Sequence, residues 1–393
     1  HFESYFVAFA FYIAYFVMAI PSGILLKKVG FKRGIMYGFM LTALGAFLFV
    51  PAALVRQFEI FLIGLFSIGT GLAILQTAAN PYVTIIGPIE SAARRISIMG
   101  ICNKFAGIIS PLIFAALILK ADDSELFSLI ESGTLDAITK SAMLDELIQR
   151  VIVPYAILGV LLVLAGIGIR YSILPEINTD EQNATDEKEN GHNSKKSIFD
   201  FPYLILGALA IFFHVGTQVI AIDTIINYAN SMGIDLLEAK VFPSYTLACT
   251  MIGYILGILI IPKYVSQTKA LIICTVLGLL LSFGVVFADF NVTLFGHQAN
   301  ISIFLLCALG FPNALIYAGI WPLSIHGLGK FTKTGSSLLI MGLCGNAILP
   351  LIYGYFAEVY DLRIGYWILI PCFLYLIFFA TKGHKINSWK RNY

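Results

Sequence analysis

Apolar stretches long enough to cross a lipid bilayer recur from one end of this chain to the other. Each is about 20 residues long, the length that an α-helix needs to span a hydrocarbon core roughly 30 Å thick. Of the 393 residues, 59% are hydrophobic and 12% are charged, which is about half the charged fraction of a soluble domain. Backbone groups inside a bilayer must be satisfied within the segment, which favours helices. The sequence therefore predicts an all-α polytopic membrane protein.

A polar segment divides the apolar stretches into five before it and six after it. The predicted spans are approximately 3–26, 33–55, 58–87, 95–119, 150–173, 201–229, 239–262, 268–288, 298–328, 334–358 and 363–381. The polar segment reads NTDEQNATDEKENGHNSKK and has no apolar content, as expected of a flexible linker. We therefore divide the chain into an N-terminal bundle (1–173), a linker (174–200) and a C-terminal bundle (201–393).

Basic residues occupy every second loop between the predicted spans. They are Lys27, Lys28, Lys32, Arg33, Arg94, Arg95, Lys188, Lys195, Lys196, Lys263, Lys269, Lys330, Lys333 and, after the last span, Lys382, Lys385, Lys390 and Arg391. Loops rich in Lys and Arg remain in the cytoplasm. This places the C-terminus inside and the acidic loop at 120–150 outside. The net charge of +2 gives no indication of a nucleic-acid partner.

Two of the predicted spans resemble each other. ISIMGICNKFAGIISPLIF (96–114) and LLIMGLCGNAILPLIY (338–353) share Ile-Met-Gly-x-Cys, a following Asn, and Pro-Leu-Ile. The first is the fourth span of its half and the second is the fifth, so parallel repeats would require one further span ahead of residue 1. Two six-helix halves joined by a cytoplasmic linker resemble the plan of the major facilitators. We expect twelve spans, of which eleven lie in this sequence.

The stretch GLAILQTAANPYVTIIGP (71–88) puts amides inside an apolar helix. Gln76 and Asn80 are four residues apart and share one helical face, and Pro81 removes a backbone hydrogen bond beside them. Amides in hydrocarbon are costly unless they find partners. Two interpretations follow: hydrogen bonding between helices, or a polar site for a ligand such as a sugar, whose hydroxyls donate and accept as amides do.

Several motifs resemble the fucose/glucose/galactose permease family of the major facilitator superfamily. They are QTAANPYVTIIGP, FYIAYFVMAIPSGILLKKVGFKRG, CNKFAG and HVGTQVIAIDTIINYA. The resemblance implies a major facilitator fold of two pseudo-symmetric helical bundles with a sugar site between them. It also implies that Asn103 and Gln218 are sugar-site residues, because family amides stand at these positions. Fucose-transporting members have a proton-coupling glutamate where this chain has Gln76, which cannot titrate; the glucose/galactose members are more similar there.

The segment GFPNALIYAGIWPLSIHGLG carries a polar and aromatic stripe. Asn313, Tyr317 and Trp321 follow one another at helical spacing. Such a stripe suits a sugar, whose CH face stacks on rings while its hydroxyls bind amides, but it also suits packing between helices. Asn346, on the next span, is assigned to packing.

Two residues of the second half are candidates for ion coupling. Asp223 is an acid that lies well inside a predicted span, where a carboxylate needs water or a cation; it could equally contact sugar or serve structure. His214 titrates near neutral pH in its ordinary state, although a packing role is the alternative. Lys104 is expected to extend toward the cytoplasmic surface or to pair with an acid, for example on the further span expected ahead of residue 1.

The function that we predict is import of a neutral hexose of the glucose, galactose or fucose type by alternating access. Coupling to H⁺ is expected, with Na⁺ as the alternative ion and another small solute as the alternative substrate. A membrane-embedded enzyme and a non-transporting sugar sensor are the rival classes. The sequence contains no catalytic motif and indicates no cofactor or metal. We expect a monomer in the bacterial inner membrane.

Overall fold

The computed structural model describes residues 2–118, 148–177 and 197–389, together with positions 139 and 145. Most of the predicted acidic loop at 120–150, and residues 178–196 of the predicted linker, lie outside the described residues. Within the described ranges the chain is almost entirely helical, which confirms the predicted all-α membrane fold.

Four long helices precede the linker. They are α1 (Phe2–Val55), α2 (Phe58–Ile85), α3 (Ala92–Ile118) and α4 (Ile152–Tyr171). As one straight helix, α1 would be about 81 Å long at 1.5 Å per residue, far more than a bilayer needs. It is interrupted at Gly30, whose φ of 80° and ψ of 176° are not helical.

The chain reverses direction at Gly30. Phe11, before the interruption, contacts Gly69, whereas Thr42, after it, contacts Gly71. Two residues 31 positions apart therefore reach the same turn of α2, which a continuous helix cannot do. The two arms of α1 correspond to the predicted spans 3–26 and 33–55.

A carboxylate from the segment that follows α4 stabilises this reversal. Glu176 accepts hydrogen bonds from the backbone N–H groups of Phe31, at 2.6 Å, and Lys32, at 3.3 Å. Gly30 is in the left-handed region and a Cβ there would collide with the Glu176 carboxylate, so both its backbone angles and the close approach favour glycine. The Lys32 ammonium donates to the Ser172 carbonyl at 2.6 Å.

The helices after the linker alternate long spans with short segments. They are α5 (Pro202–Asp223), α6 (Ile225–Ser231), α7 (Leu236–Ala239), α8 (Phe242–Ile260), α9 (Gln267–Phe287), α10 (Ile301–Ala308), α11 (Gly310–Ile325), α12 (Thr332–Met341), α13 (Gly345–Val359), α14 (Leu362–Gly365) and α15 (Leu369–Thr381). By length and hydropathy, nine helical segments of the described part qualify as membrane spans. One of them, Ile13–Val55, contains two predicted spans, and α3 matches a further one, so each of the eleven predicted spans corresponds to a helix.

A β-hairpin that the sequence reading did not predict joins α9 to α10. Strands β1 (Asn291–Leu294) and β2 (His297–Asn300) pair antiparallel. Phe295 and Gly296 form the turn with positive φ angles of 52° and 82°, as a two-residue hairpin turn requires. The Asn300 side chain then caps α10 by accepting from the Ser302 backbone N–H at 3.0 Å.

The helices before and after the linker meet at the end of the molecule that carries the basic loops, which we call the basic end. The Lys333 ammonium lies 5.4 Å from the centre of the Phe31 ring. Gly23 lies directly against the Ser337 side chain, and the Gln267 side-chain Oε1 accepts from the Ala93 N–H at 3.3 Å. Those basic loops that the structure describes thus come together on one face, as their alternation along the sequence requires.

Candidate substrate-binding site

A cavity of about 400 Å³ lies between the helices that precede the linker and those that follow it. Five of the predicted sugar-site residues line it: Gln76, Asn80, Asn103, Gln218 and Tyr317. They come from α2, α3, α5 and α11, so residues far apart in sequence converge on one space. This volume is within the range of small-molecule sites.

The two amides of α2 point into this cavity and also bond across helices. The Gln76 side-chain N–H₂ donates to the Tyr15 hydroxyl at 3.1 Å. The Asn80 side-chain N–H₂ donates to the Tyr317 hydroxyl at 3.0 Å and so joins α2 to α11. The two sequence interpretations, helix–helix bonding and a polar site, therefore describe the same residues.

The side of the cavity nearest the basic end is closed by contacts between the two sets of helices. The Asn80–Tyr317 hydrogen bond is one of them. Tyr254 of α8, which is buried, packs against Gly100 of α3, where a Cβ would lie 2.5 Å from the Tyr254 Cζ. Glycine at this position admits the ring, and the phenol becomes part of the lining.

The internal repeat places an amide on each side of the cavity. Asn103 of α3 and Asn346 of α13 follow the shared Met-Gly-x-Cys motif, and both line the cavity. Among the described residues the Asn346 Oδ1 has no hydrogen-bond partner. Asn346, which we assigned to packing from the sequence, therefore also lines the cavity.

Four other predicted residues do not line the cavity. Asn313 is 1% exposed and lies one turn from Tyr317, while Trp321 is fully buried with its ring 6.1 Å from the Tyr317 ring. His214 is also fully buried, and its ring centre is 6.1 Å from that of Tyr317. Asp223 is the last residue of α5 and is exposed. Their roles in binding and coupling stay predictions.

Sequence reasoning missed two phenols and did not place Lys104 in the lining. Tyr15 and Tyr254 line the cavity, but an isolated tyrosine in an apolar helix is usually a packing residue. Lys104 also lines the cavity and is half-buried, whereas we expected its side chain to extend toward the cytoplasmic surface or to pair with an acid. The sequence feature that could have identified Lys104 as a lining residue is its position next to Asn103.

Lys104 supplies the charge of this lining. The other polar lining side chains that the structure describes are amides and phenols. No hydrogen bond or ion pair joins the Lys104 ammonium to a residue in the described ranges.

Two sets of membrane-spanning helices around a central polar cavity that is closed at one end define a multi-pass membrane transporter rather than an enzyme. The family model of the Major Facilitator Superfamily matches residues 1–344. The chain belongs to that superfamily and, within it, to the fucose/glucose/galactose permease family. It is 31% identical over 388 residues to a glucose/galactose transporter of Brucella abortus, with 98% of this chain and 86% of that protein covered. It is likewise 31% identical over 385 residues to the L-fucose-proton symporter of Escherichia coli, with 97% and 84% covered.

A solved structure agrees over almost the whole chain. The major facilitator transporter FucP, crystallised in the outward conformation, superposes with a TM-score of 0.81 at 27% identity. The match covers 99% of this chain and 91% of that one. The predicted major facilitator fold is thereby confirmed.

Proposed function

We propose that this protein is a secondary active sugar transporter that imports a hexose of the glucose, galactose or fucose type together with H⁺. The observation that carries the proposal is the convergence of Gln76, Asn80, Asn103, Gln218 and Tyr317 on one cavity. Amides and phenols both donate and accept hydrogen bonds, as sugar hydroxyls do. The relatives named for glucose/galactose transport and for L-fucose–proton symport support the same substrate class.

The substrate would bind first within this cavity. Gln76, Asn80 and Asn103 contribute from the N-terminal bundle (1–173), and Gln218 and Tyr317 contribute from the C-terminal bundle (201–393). Asn313 and Trp321 flank Tyr317 by one helical turn on either side, so a small rotation of α11 during the cycle would bring them toward the sugar. Aromatic rings and amides together fit the two kinds of surface of a pyranose.

Transport would proceed by rocking of the two bundles about the bound sugar. The contacts at the basic end, such as Lys333 on Phe31, support an outward-facing state with this end closed. The similarity to FucP in its outward conformation supports it as well. In this orientation the basic loops and the C-terminus are cytoplasmic, the membrane is the bacterial inner membrane, and the transporting unit is a monomer.

Counterflow in proteoliposomes tests the proposal. The purified protein is reconstituted, loaded with one unlabelled sugar, and diluted into traces of labelled glucose, galactose, fucose and, as a control, mannitol. Exchange of one or more of the hexoses, but not of mannitol, is the expected result. Exchange of no hexose, by protein that remains folded and monodisperse, would overturn the assignment.

The driving ion is identified in the same vesicles. Uphill uptake is measured under an inward pH gradient and, separately, under an inward Na⁺ gradient at equal pH on both sides. We expect accumulation in the first condition. Accumulation in the second condition alone would make the protein a Na⁺-coupled transporter, which was the alternative that the sequence left open.

A further inference from the structure

A hydrogen bond at the edge of the cavity joins the two bundles. The Tyr317 hydroxyl of α11 accepts from the Asn80 side chain of α2 at 3.0 Å, and both residues line the cavity. Asn80 is only 4% exposed, so water has little access to compete for this bond. Opening of the basic end would move α2 away from α11 and break it. The hydroxyl would then need a new partner, because a polar group that is buried without one is unfavourable.

Behind Tyr317, in the same bundle, lies an imidazole with unused hydrogen-bonding capacity. His214 of α5 is fully buried, and its ring centre lies 6.1 Å from that of Tyr317. Neither ring nitrogen has a hydrogen-bond partner in the described part of the chain. Because both nitrogens are already enclosed, a further segment of chain could not reach them. Buried polar groups are nearly always hydrogen-bonded, so this imidazole lacks a partner in the closed conformation.

We propose that Tyr317 is a two-position latch and that His214 is the positioning residue that stabilises its second position. In the first position the Tyr317 hydroxyl accepts from Asn80, and the basic end is closed. In the second position the same hydroxyl donates to the unprotonated nitrogen of the neutral His214 ring, and the basic end is open. The inference rests on the rocking of the bundles in the proposed function and adds the residues that balance its two states.

The exchange leaves the phenol with one protein partner in each state. The first bond joins the two bundles, whereas the second lies within the C-terminal bundle. Because neither state has an unpaired phenol, the free-energy difference between the two states stays small. A small difference is the condition under which a bound ligand can shift a conformational equilibrium. Asn80, once released from Tyr317, can donate to a sugar hydroxyl instead.

Access from the basic end reports the position of the latch. Ser97 of α3 is fully buried, and its hydroxyl lies 3.3 Å from the point where a Cβ on Gly257 of α8 would stand. It therefore lies between the bundles, close to the basic end. Ser97→Cys is made in the protein whose native cysteines have been replaced by alanine, which gives the parent protein. Its reaction with an impermeant maleimide in inside-out vesicles without sugar measures the fraction that is open at this end.

Removing one partner at a time should shift the labelling rate in opposite directions. His214→Leu removes the partner of the open position, so labelling should slow relative to the parent. Asn80→Leu removes the partner of the closed position, so labelling should accelerate. Each change removes one hydrogen bond, which corresponds to about fivefold in the rate.

Two controls accompany these variants. His214→Gln keeps a hydrogen-bond acceptor at the same place and should label close to the parent rate. Tyr375→Phe removes the hydroxyl that donates to the Leu206 carbonyl at 3.0 Å within the C-terminal bundle. It is matched to Tyr317→Phe in chemistry but lies outside the cavity lining that the structure describes, so it should not change the rate.

A double-variant comparison shows whether His214 acts through the Tyr317 hydroxyl. If it does, His214→Leu slows labelling in the parent but not in a Tyr317→Phe background, which lacks that hydroxyl. Equal slowing in both backgrounds would make His214 a packing residue and overturn the inference. No slowing in either background, or no acceleration in Asn80→Leu, would overturn it as well, because the imidazole or the amide would then be satisfied equally in both states, for example by water.

Two further provisions keep the test decisive. Should His214→Leu not fold, His214→Met replaces it, because the flexible methionine side chain fills the buried space without a ring nitrogen. The labelling needs no sugar, so it is separate from the counterflow test of the proposed function. Absence of hexose counterflow in the unaltered protein would remove the proposed substrate, whereas the labelling rates alone decide whether the latch exists.

Discussion

At the scale of single residues, the proposed sugar site is lined by amides whose hydrogen-bonding capacity is only partly used. The side chains of Gln76 and Asn80 each donate one hydrogen bond to a tyrosine hydroxyl, and those bonds fix the orientation of the two side chains. Both residues line the cavity together with Asn103, Gln218 and Asn346. A ligand therefore meets polar groups that are already oriented, which lowers the entropy cost of binding.

Replacing Gln76 by leucine should abolish detectable sugar binding while leaving the fold intact. Leucine fills a similar volume but cannot hydrogen-bond to the Tyr15 hydroxyl or to a sugar hydroxyl, at a cost of about 1–3 kcal/mol for each unmade bond. Binding is measured by tryptophan fluorescence or by titration calorimetry in detergent, with thermal unfolding as the test of fold. Thr77→Val is the matched control, because the buried Thr77 hydroxyl bonds only to the Ala73 carbonyl of its own helix. Unchanged affinity in Gln76→Leu would exclude Gln76 from the site.

At the scale of elements, close helix contacts made through glycine close the basic end. Gly23, on the first arm of α1, touches the Ser337 side chain and lies near the Lys333 carbonyl of α12, which would be 3.2 Å from an added Cβ. A side chain can rotate away, but a backbone carbonyl in a helix cannot. The separation of α1 from α12 is therefore set by the absence of a Cβ at this position.

Gly23→Val should open the basic end and shift the protein toward its inward-facing state. A cysteine introduced for the buried Ser336 reports the shift through its reaction with an impermeant maleimide in inside-out vesicles, after the native cysteines have been replaced by alanine. We expect faster labelling in Gly23→Val than in the parent. Gly168→Val in α4, where nothing lies within 4 Å of the added Cβ, should label at the parent rate. Equal rates in all three proteins would show that Gly23 does not control closure.

The junction between the hairpin and α10 predicts a pH effect on the opposite side of the molecule. The Asp289 carboxylate accepts from the Asn300 side chain at 2.8 Å and pairs with Arg363 at 3.0 Å. The Asn300 hydrogen bond first, and then Arg363, hold its pKa below the ordinary 3.8. Because the folded-state pKa is lowered, the stabilisation is present above the unfolded-state value and is lost as pH falls through the folded-state value. The melting temperature in detergent should thus decline below about pH 4. The decline should be less steep in Asp289→Asn than in the unaltered protein. Parallel curves of melting temperature against pH for the two proteins would refute the effect.

At the scale of the whole molecule, much of the architecture was predictable because the hydrocarbon core of a bilayer requires long apolar helices. Span length, the basic loops and the QTAANPYVTIIGP motif led to eleven helices, their grouping and five lining residues. The interruptions of the long spans at Thr224 and Leu309, and the β-hairpin, could not be predicted in this way. They depend on local helix capping and turn geometry, which the apolar composition of a segment does not indicate. The positions of Tyr15, Tyr254 and Lys104 follow from neighbours on other helices. Sequence spacing along one helix contains no information about those neighbours.

The closed basic end also predicts one-sided access to the cavity. Leu343 lines the cavity. To test access, Leu343→Cys is made in the protein whose native cysteines have been replaced by alanine. An impermeant maleimide should label it in right-side-out vesicles and not in inside-out vesicles. Excess sugar should slow the reaction by occupying the same space. Preferential labelling in inside-out vesicles would reverse either the assigned state or the assigned topology.

The Asn103–Asn346 pair has a consequence for the history of the molecule. If the two bundles descend from one duplicated gene, their ancestor was a half-length chain that assembled as a twin. Each copy would then have offered the same asparagine toward the shared axis, and a rudimentary hydroxyl-binding centre would have preceded the gene fusion. On that premise, Lys104 after one asparagine and an alanine after Asn346 are the result of divergence between the two halves.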